Sequence, residues 1–446
     1  MIQHIVFCRT ITNHLSSLSV LSLYWPKKTA MAYILDIRNG LPGACAIALS
    51  LAFTPCALAA ENTETTANES QIGNRITDSQ TGENDSKLAK TAGYDKNSDN
   101  GFFFNTKDGS FSLNIGAYTQ ARYDLNWRDT PSDDDNVEED FYFNITSLFF
   151  IGQLTRTFDY HLRMNYDDEG KSDLQIAYLQ YNINDQWTLR AGQQFVAISR
   201  EDWMFPQDLL TTDFSANDAT FAYGAPVAVQ AHYKGTKQRF WAALSDAAIG
   251  GNVQVEKLRD TTLTGRWEYQ LSGRDWSIWD YVVGRRGRSK GILLGLAGVQ
   301  QPGENESGSG KSAQLNVDLS FNGDGYQVML DASLTRLEPR HVDSFINYGI
   351  LAQGGYFFTT HLQAYTQFDL VSPGNQPGEL ETFHSITAGV NYFPFPWRNR
   401  WKFSFELAHM FDIINKTIVE PSRSLGWQPS DEKGQTYLRL QAQFGF

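Results

Sequence analysis

The chain has 446 residues, of which 41% are hydrophobic, and its mean hydropathy is −0.39. After residue 60 no segment approaches the roughly 20 consecutive apolar residues of a transmembrane helix, so the sequence excludes a helical membrane protein. The formal net charge of −13 argues against a basic surface for nucleic acid, and no nucleic acid is expected as a partner. Aromatic residues still make up 13% of the chain, which is typical of a sheet with one polar and one apolar face.

Residues 1–60 are predicted to be an N-terminal extension and signal peptide. Arg38 precedes an apolar run over 44–53, and small residues then lead to a cleavage site after Ala60. Met31 stands where such a signal would begin, so the true start of translation is expected there or at residue 1. All three cysteines precede the cleavage site, so no disulfide, no metal site and no cofactor is expected in the exported chain.

Residues 61–108 are rich in Asn, Thr, Ser, Asp and Glu and have no apolar periodicity. We predict that they form a flexible periplasmic linker. The three phenylalanines at 102–104 are candidates for tethering this linker to the next domain.

From residue 109 to 446 the pattern is one of alternation. Over 111–127, apolar residues such as Leu113 and Ile115 alternate with polar residues such as Asn114 and Arg122. A period of two over this length predicts a long strand with one apolar and one polar face. Sixteen strands are predicted, near 111–127, 141–154, 157–168, 174–184, 187–195, 226–234, 238–246, 262–270, 291–300, 312–322, 325–336, 346–358, 360–371, 384–393, 401–413 and 435–446.

The connections between these strands alternate between tight turns and longer loops, which is typical of outer-membrane barrels with short periplasmic turns and long extracellular loops. The predicted fold is therefore all-β: a transmembrane antiparallel β-barrel of about sixteen strands in a bacterial outer membrane. A soluble β-sandwich or propeller is the alternative, but the signal peptide and the strand lengths argue against it. The segment 271–290 lies on the short-turn rim, is long, and contains Trp276, Trp279 and four arginines that the barrel pattern does not explain.

The last predicted strand presents alternating apolar residues that include Phe444 and Phe446. Such a terminal strand is typical of the signal that the barrel-assembly machinery captures by strand addition.

The span 108–446 resembles the phosphate-selective porin O/P family. The segments that carry the resemblance are Leu113–Leu125, Asp173–Tyr181 and Leu189–Phe195 leading into Ser199–Asp202. The resemblance implies a Gram-negative porin that lets small hydrophilic solutes diffuse passively, with phosphate or another anion as a candidate solute. It also implies a homotrimer and a loop folded inward at mid-height. The expected partners are small ions or solutes, outer-membrane lipid, lipopolysaccharide and the assembly machinery.

Nine basic side chains stand opposite the apolar faces and are candidate pore-lining residues: Arg122, His161, Arg163, Arg190, His232, Lys234, Arg266, Lys402 and Arg439. They could form a basic track that lowers the energy of an anion in a narrow pore. The alternative is that they pair with carboxylates on the same polar faces.

The long connection at about 196–225 is the predicted constriction loop. Its candidate residues are Arg200, Glu201, Asp202, Trp203, Asp208 and Asp213. Only Arg200 among them is basic, whereas the phosphate-selective members of the family have a basic constriction. A general, cation-preferring or sugar porin without phosphate selectivity is therefore kept as the alternative.

An outer-membrane barrel hydrolase is the rival class. It would need a Ser–His pair on the lipid-facing surface, but His384 and Ser385 are adjacent and point to opposite faces. His409 lies on the apolar face, and the sequence identifies no serine partner for it. No catalytic residue and no enzyme activity are expected.

Overall fold

The computed structural model describes residues 92–94, 101–128, 137–166, 171–246, 261–280, 283–302, 311–339, 343–376, 378–396 and 398–446. The predicted signal peptide, its cleavage site and most of the predicted linker lie outside these residues. Within the described ranges, no helix is long and apolar enough to cross a membrane.

Two short strands, β1 (Ala92–Tyr94) and β2 (Phe102–Asn105), precede sixteen longer ones in the described residues. The longer strands are β3 (Ser112–Trp127), β4 (Val137–Thr155), β5 (Phe158–Tyr166), β6 (Ser172–Asn182), β7 (Trp187–Gln193), β8 (Val227–Lys234), β9 (Gln238–Ser245), β10 (Thr262–Ser272), β11 (Gly291–Gln301), β12 (Lys311–Asn322), β13 (Tyr326–Glu338), β14 (Phe345–Phe357), β15 (Leu362–Ser372), β16 (Phe383–Tyr392), β17 (Lys402–Met410) and β18 (Thr436–Gly445). A short helix, α1 (Ala216–Phe221), lies between β7 and β8.

The longer strands form one closed sheet. Each pairs antiparallel with the next, and β18 pairs with β3, where Leu440 lies opposite Tyr123. The described chain is therefore a closed antiparallel barrel of sixteen strands, β3 to β18, which confirms the predicted fold class. All sixteen predicted strands are present, and their ends differ from the prediction by a few residues.

The two faces of the barrel wall differ in polarity. Along β13, the apolar side chains of Val328, Leu330 and Leu334 are exposed on the outside, whereas Gln327 and Asp331 are buried inside. A soluble sheet protein buries its apolar face, so this arrangement is reversed. An apolar exterior around a polar interior is the pattern of a barrel surrounded by lipid.

The two rims differ in the length of their connections. On one rim, tight turns such as 156–157 and 235–237 follow β4 and β8. On the opposite rim, the connections run over 194–226 between β7 and β8 and over 411–435 between β17 and β18. The short-turn rim also carries the segment 273–290, which connects β10 to β11.

The seam between β18 and β3 is completed by the chain terminus and by β2. The backbone N–H of Phe446 donates to the carbonyl of Ala117 (2.9 Å), and the carbonyl of Phe446 accepts from the N–H of Ala117 (3.1 Å). Beyond this point β2 takes over, with Phe102 opposite Ile115. The sequence assigns 102–105 to a flexible linker, whereas the structure pairs them with β3. The physical reason is that β3 extends past the end of β18 and has backbone groups there to be paired.

A substitution at Gly116 tests how tightly this seam is packed. A Cβ atom at this position would overlap the Phe149 ring and would lie 2.6 Å from the carbonyl oxygen of Phe446. We expect Gly116→Val to destabilise the barrel by about 1–3 kcal/mol, the usual cost of overpacking. Heat modifiability on SDS gels measures this as a lower transition temperature.

Gly298→Val is the matched control, because a Cβ atom at Gly298 in β11 has open space around it. Equal transition temperatures for the two variants would contradict the seam packing described here.

Candidate functional site

The connection 194–226 folds into the barrel and packs on the inner wall. Between 196 and 213, every side chain except Trp203, Phe205 and Asp208 is buried. An apolar cluster fixes its middle part, in which Leu209 and Leu210 contact wall residues of β13 to β15. This element, residues 194–226, is called the inward loop below.

Ion pairs fix the tip of the inward loop to β3 and β18. The carboxylate of Asp213 pairs with Arg122 and lies 3.4 Å from the guanidinium of Arg439. Next to it, the backbone N–H and hydroxyl of Thr212 donate to the Glu406 carboxylate, at 3.0 and 2.6 Å. These charge-assisted bonds are the strong class of protein hydrogen bonds, so the loop tip is held firmly to the wall.

Further wall side chains bind the backbone of the inward loop. Lys402 Nζ donates to the carbonyl of Leu209 (3.0 Å) and Asn391 donates to that of Leu210 (2.7 Å). On the other side of the barrel, Arg266 donates to the carbonyl of Ile198 (2.6 Å). The loop backbone thereby obtains the partners that a buried non-regular segment requires.

Several carboxylates of the inward loop are bound within the loop itself. Glu201 accepts from the N–H of Ser215 (3.2 Å) and from its hydroxyl, and Asp218 accepts from the hydroxyl of Ser199 (2.8 Å). Burial raises the pKa of Glu201, Asp202 and Asp218 above their usual values, because it disfavours the charged form. Although the loop is rich in acidic residues, these three carboxylates therefore do not form an acidic surface toward the lumen.

The segment 273–290 also folds inward, from the short-turn rim. Trp276 Nε1 donates to the carbonyl of Gly235 (2.8 Å), and Gln363 of β15 donates to the carbonyl of Val283 (2.6 Å). The two inward elements meet where Arg200 lies 4.9 Å from the ring of Trp279 and donates to its carbonyl (3.3 Å). Trp276 and Trp279 of this segment therefore lie inside the barrel near the short-turn rim.

An open cavity of about 320 Å³ lies on the other side of the barrel. It is bounded by the inner faces of β3 to β9 and by the exposed face of the inward loop. The loop contributes Phe195, Trp203, Phe205 and Asp208 to its lining.

All nine basic candidates predicted from the sequence lie on the inner face of the wall, but they fall into two sets. The first set is bound to carboxylates or to the inward loop: Arg122, Arg266, Lys402 and Arg439. The second set lines the cavity: His161, Arg163, Arg190, His232 and Lys234.

In the first set, charge is neutralised locally. Arg266 lies 2.9 Å from the Glu268 carboxylate and 2.6 Å from that of Asp318. Arg439 donates to Asp124 at 2.7 and 2.8 Å. Each of these arginines therefore serves to hold the wall and the loop together.

In the second set, the cations lie against rings and amides. Arg163 lies 3.9 Å from the ring centre of Phe205 and donates to Gln207 (3.2 Å). Arg190 lies 4.8 Å from the ring centre of Tyr178 and donates to Gln180 (2.6 Å). Among the described residues, neither of these arginines has a carboxylate within 4 Å.

Lys234 and His232 complete the second set on β8. The ammonium group of Lys234 has no hydrogen bond or ion pair within the described ranges. The His232 ring stacks on Trp241, with centroids 4.7 Å apart and planes 10° from parallel. The cavity thus combines positive charge with aromatic surface.

Residues 115–271 match the protein family described as phosphate-selective porin O and P. This segment runs from β3 into β10 and contains the inward loop and most of the cavity wall. The match confirms, over these residues, the family resemblance predicted from the sequence.

The barrel is similar to an anion-selective porin from Comamonas acidovorans, with a TM-score of 0.51 and 11% identity, covering 75% of this chain and 100% of that chain. It is also similar to the outer-membrane expressed OmpT of Vibrio cholerae, with a TM-score of 0.48 and 10% identity, covering 75% of this chain and 98% of that chain. No curated protein sequence matches the chain. At 11% identity, the similarity to the Comamonas acidovorans porin shows the fold alone. Together with the family match, it decides the class. The chain is an outer-membrane porin.

The six residues predicted for the constriction loop of the porin have different surroundings. Trp203 and Asp208 line the cavity, whereas Arg200 lies on Trp279. Glu201 and Asp213 are bound to Ser215 and Arg122. Asp202 is also buried and is not among the residues that line the cavity. Its backbone N–H donates to the Ser199 hydroxyl (2.8 Å).

The sequence analysis missed Arg239 of β9, which also lines the cavity. It pairs with Glu268 (2.6 Å) and lies 4.2 Å from the ring centre of Trp276. The inner face of β9 carries Trp241 beside Arg239, so hydropathy alternation alone does not reveal which face is polar. The available signal was Arg239 two positions before Trp241, on the same face of the strand.

The histidines considered for a hydrolase have other partners in the porin. His409 Nδ1 is 2.7 Å from the Thr436 hydroxyl, and His384 Nδ1 is 2.8 Å from the Asp412 carboxylate. Neither contact is with a serine. In the described part of the chain, no cluster of three or more His, Asp or Glu side chains is arranged to hold a metal ion.

Asp213→Asn tests how the inward loop is held. The variant removes the carboxylate that Arg122 pairs with and leaves a buried guanidinium without a counter-charge. Breaking a buried ion pair on one side costs about 3–5 kcal/mol. We expect a lower heat-modifiability transition and noisier single-channel current, because the loop tip is released.

Glu338→Gln is the control, because it removes the carboxylate of an exposed pair with Arg336 (3.0 Å). Exposed pairs contribute at most about 1 kcal/mol. Quiet channels and an unchanged transition for Asp213→Asn would show that other contacts hold the loop.

Proposed function

We propose that the porin conducts small anions by passive diffusion through the cavity between β3–β9 and the inward loop. Arg190 and Lys234 are the partly exposed cations that a passing solute meets, whereas Arg163 is buried in the same lining. The description of the matching family as phosphate-selective and the anion selectivity named for the Comamonas acidovorans porin support this direction.

One observation carries the proposal. The three cations line the same cavity without a carboxylate within 4 Å in the described residues, whereas Arg122, Arg266 and Arg439 are ion-paired. A cation that is not neutralised locally lowers the energy of an anion in a narrow, partly dry passage. The ion pairs of Arg122, Arg266 and Arg439 therefore lie where the loop is attached, whereas Arg163, Arg190 and Lys234 lie in the lining of the cavity.

Cation preference is the second candidate, because Asp159, Asp185, Asp208 and Asp280 also line the cavity. Asp159 is partly engaged, since it accepts from Gln180 (3.2 Å) and Asn182 (2.8 Å). Asp208 accepts from Asn399 (3.2 Å). These amide donors favour the charged form of both carboxylates, so the measured ion preference decides between the two candidates.

The test is the reversal potential of the porin in a planar bilayer under a potassium chloride gradient. We expect anion preference in the native protein. Replacing Arg163, Arg190 or Lys234 by Gln should lower the anion-to-cation permeability ratio by roughly twofold or more each, since each removes one positive charge from the passage. Added phosphate should reduce the current, and less so in these variants.

Arg336→Gln is the matched control, because it removes the same charge from an exposed site outside the lumen. A native channel with cation preference would overturn the proposal in favour of Asp208 and its neighbours. Block by a neutral sugar with no ion preference would favour a sugar porin instead.

We also propose that the porin is exported by the signal ending at Ala60 and inserted by the barrel-assembly machinery through its terminal strand with Phe444 and Phe446. The family resemblance supports assembly as a homotrimer. Protein kept unheated in mild detergent should have the mass of three chains by light scattering corrected for detergent. A single-chain mass would contradict the trimer.

A further inference from the structure

The side of the cavity formed by the inward loop is aromatic. Between 196 and 213, Trp203, Phe205 and Asp208 are the residues that retain exposed surface, and all three line the cavity. Phe195 joins them, with its ring 5.6 Å from that of Phe205. The inward loop therefore presents rings to the solute rather than a set of N–H donors.

The opposite side is cationic and also carries rings. Arg163 and Arg190 lie over Phe205 and Tyr178, at 3.9 and 4.8 Å from the ring centres. His161 packs edge-on against the rings of Tyr178 and Phe205, with centroids 5.6 and 6.0 Å away. Near the short-turn rim, Lys234 follows the stacked pair of His232 and Trp241 on the same inner wall.

Two buried imidazole nitrogens in this lining have no hydrogen-bond partner among the described residues. They are Nε2 of His161 and Nε2 of His232. His161 itself is 7% exposed. Buried polar atoms normally have partners, so these positions are suited to a polar group that a bound solute supplies.

Inorganic phosphate does not match this arrangement well. A small tetrahedral anion is held by several N–H groups that converge on its oxygens, as at helix N-termini and arginine forks. Here the guanidinium groups lie against ring faces, and the loop side offers mainly apolar surface. A solute with one flat apolar ring and one negative group would use both sides of the cavity.

We propose that the preferred solute class is the aromatic carboxylates, with the ring against the exposed parts of Trp203 and Phe205 and the carboxylate toward Arg190 and Lys234. This inference rests on the proposed anion pathway and names its substrate class. Ring stacking contributes to binding beyond the burial of apolar area, and the carboxylate supplies the negative partner that Arg190 and Lys234 lack. A neutral sugar would use the rings but not the cations.

The experiment compares three anions as blockers of single-channel chloride current through the full-length porin: benzoate, cyclohexanecarboxylate and inorganic phosphate. Benzoate and cyclohexanecarboxylate have the same charge and similar size, and only benzoate has an aromatic face. We expect half-block by benzoate at about fivefold lower concentration than by either of the others. Trp203→Leu and Phe205→Leu should bring the benzoate value to that of cyclohexanecarboxylate.

Phe403→Leu is the control, because this exposed ring lies on the outer face of β17. Equal block by benzoate and cyclohexanecarboxylate overturns ring recognition, and so does stronger block by phosphate or equal block by glucose. The reversal potential separates this inference from the proposed function. Anion preference without benzoate selectivity overturns the substrate class alone, whereas cation preference overturns both.

Discussion

Pairing of the backbone at the seam between β18 and β3 is the constraint on which this porin depends. In lipid, no water is available to an unpaired N–H or carbonyl, so a sheet can span the membrane only when it is closed. The last strand pairs with the first through Arg439 opposite Asp124, and these two residues also form an ion pair on the inner face. The seam is thus closed by backbone and side chain together.

The seam also shows why the N-terminal segment is part of the wall. β18 stops opposite Tyr118, while β3 begins at Ser112, so the first residues of β3 lie beyond the end of the partner strand. β2 covers part of this edge, and β1 pairs with β2 in turn. An uncovered edge is a site for unwanted strand addition, so this short hairpin protects the place where the barrel closes.

Closure of sixteen strands has a second consequence, because a barrel of this size has a lumen too wide for wall side chains to fill. The inward loop and the segment 273–290 occupy one side of it. Where they lie, wall charges are neutralised, as Arg122 is by Asp213 and Arg266 is by Asp318. On the opposite side of the lumen, the partly exposed Arg190 and Lys234 line the cavity. The ion-paired arginines thus lie where the inward elements contact the wall.

The strands and their faces could be predicted because alternation is a local signal with a fixed period. The inward position of 196–225 followed from its length and from the family resemblance. The direction of its side chains could not be predicted, because a loop has no period and its contacts are distant in sequence. Glu201 and Asp213 contribute to the acidic composition of the loop in the sequence. In the structure, Glu201 is bound by Ser215 and Asp213 by Arg122, and neither carboxylate lines the cavity.

The proposed anion preference is compatible with a chain of net charge −13. Charges in water are screened within about 8 Å at physiological ionic strength, so most acidic residues of the chain are too far from the solute to act on it. Side chains within the cavity act at a few ångströms, through a medium of lower dielectric constant. The proposed selectivity is thus a property of the lining, in which Arg190 and Lys234 have no carboxylate within 4 Å among the described residues, while Asp159 and Asp208 already accept hydrogen bonds from neighbouring amides.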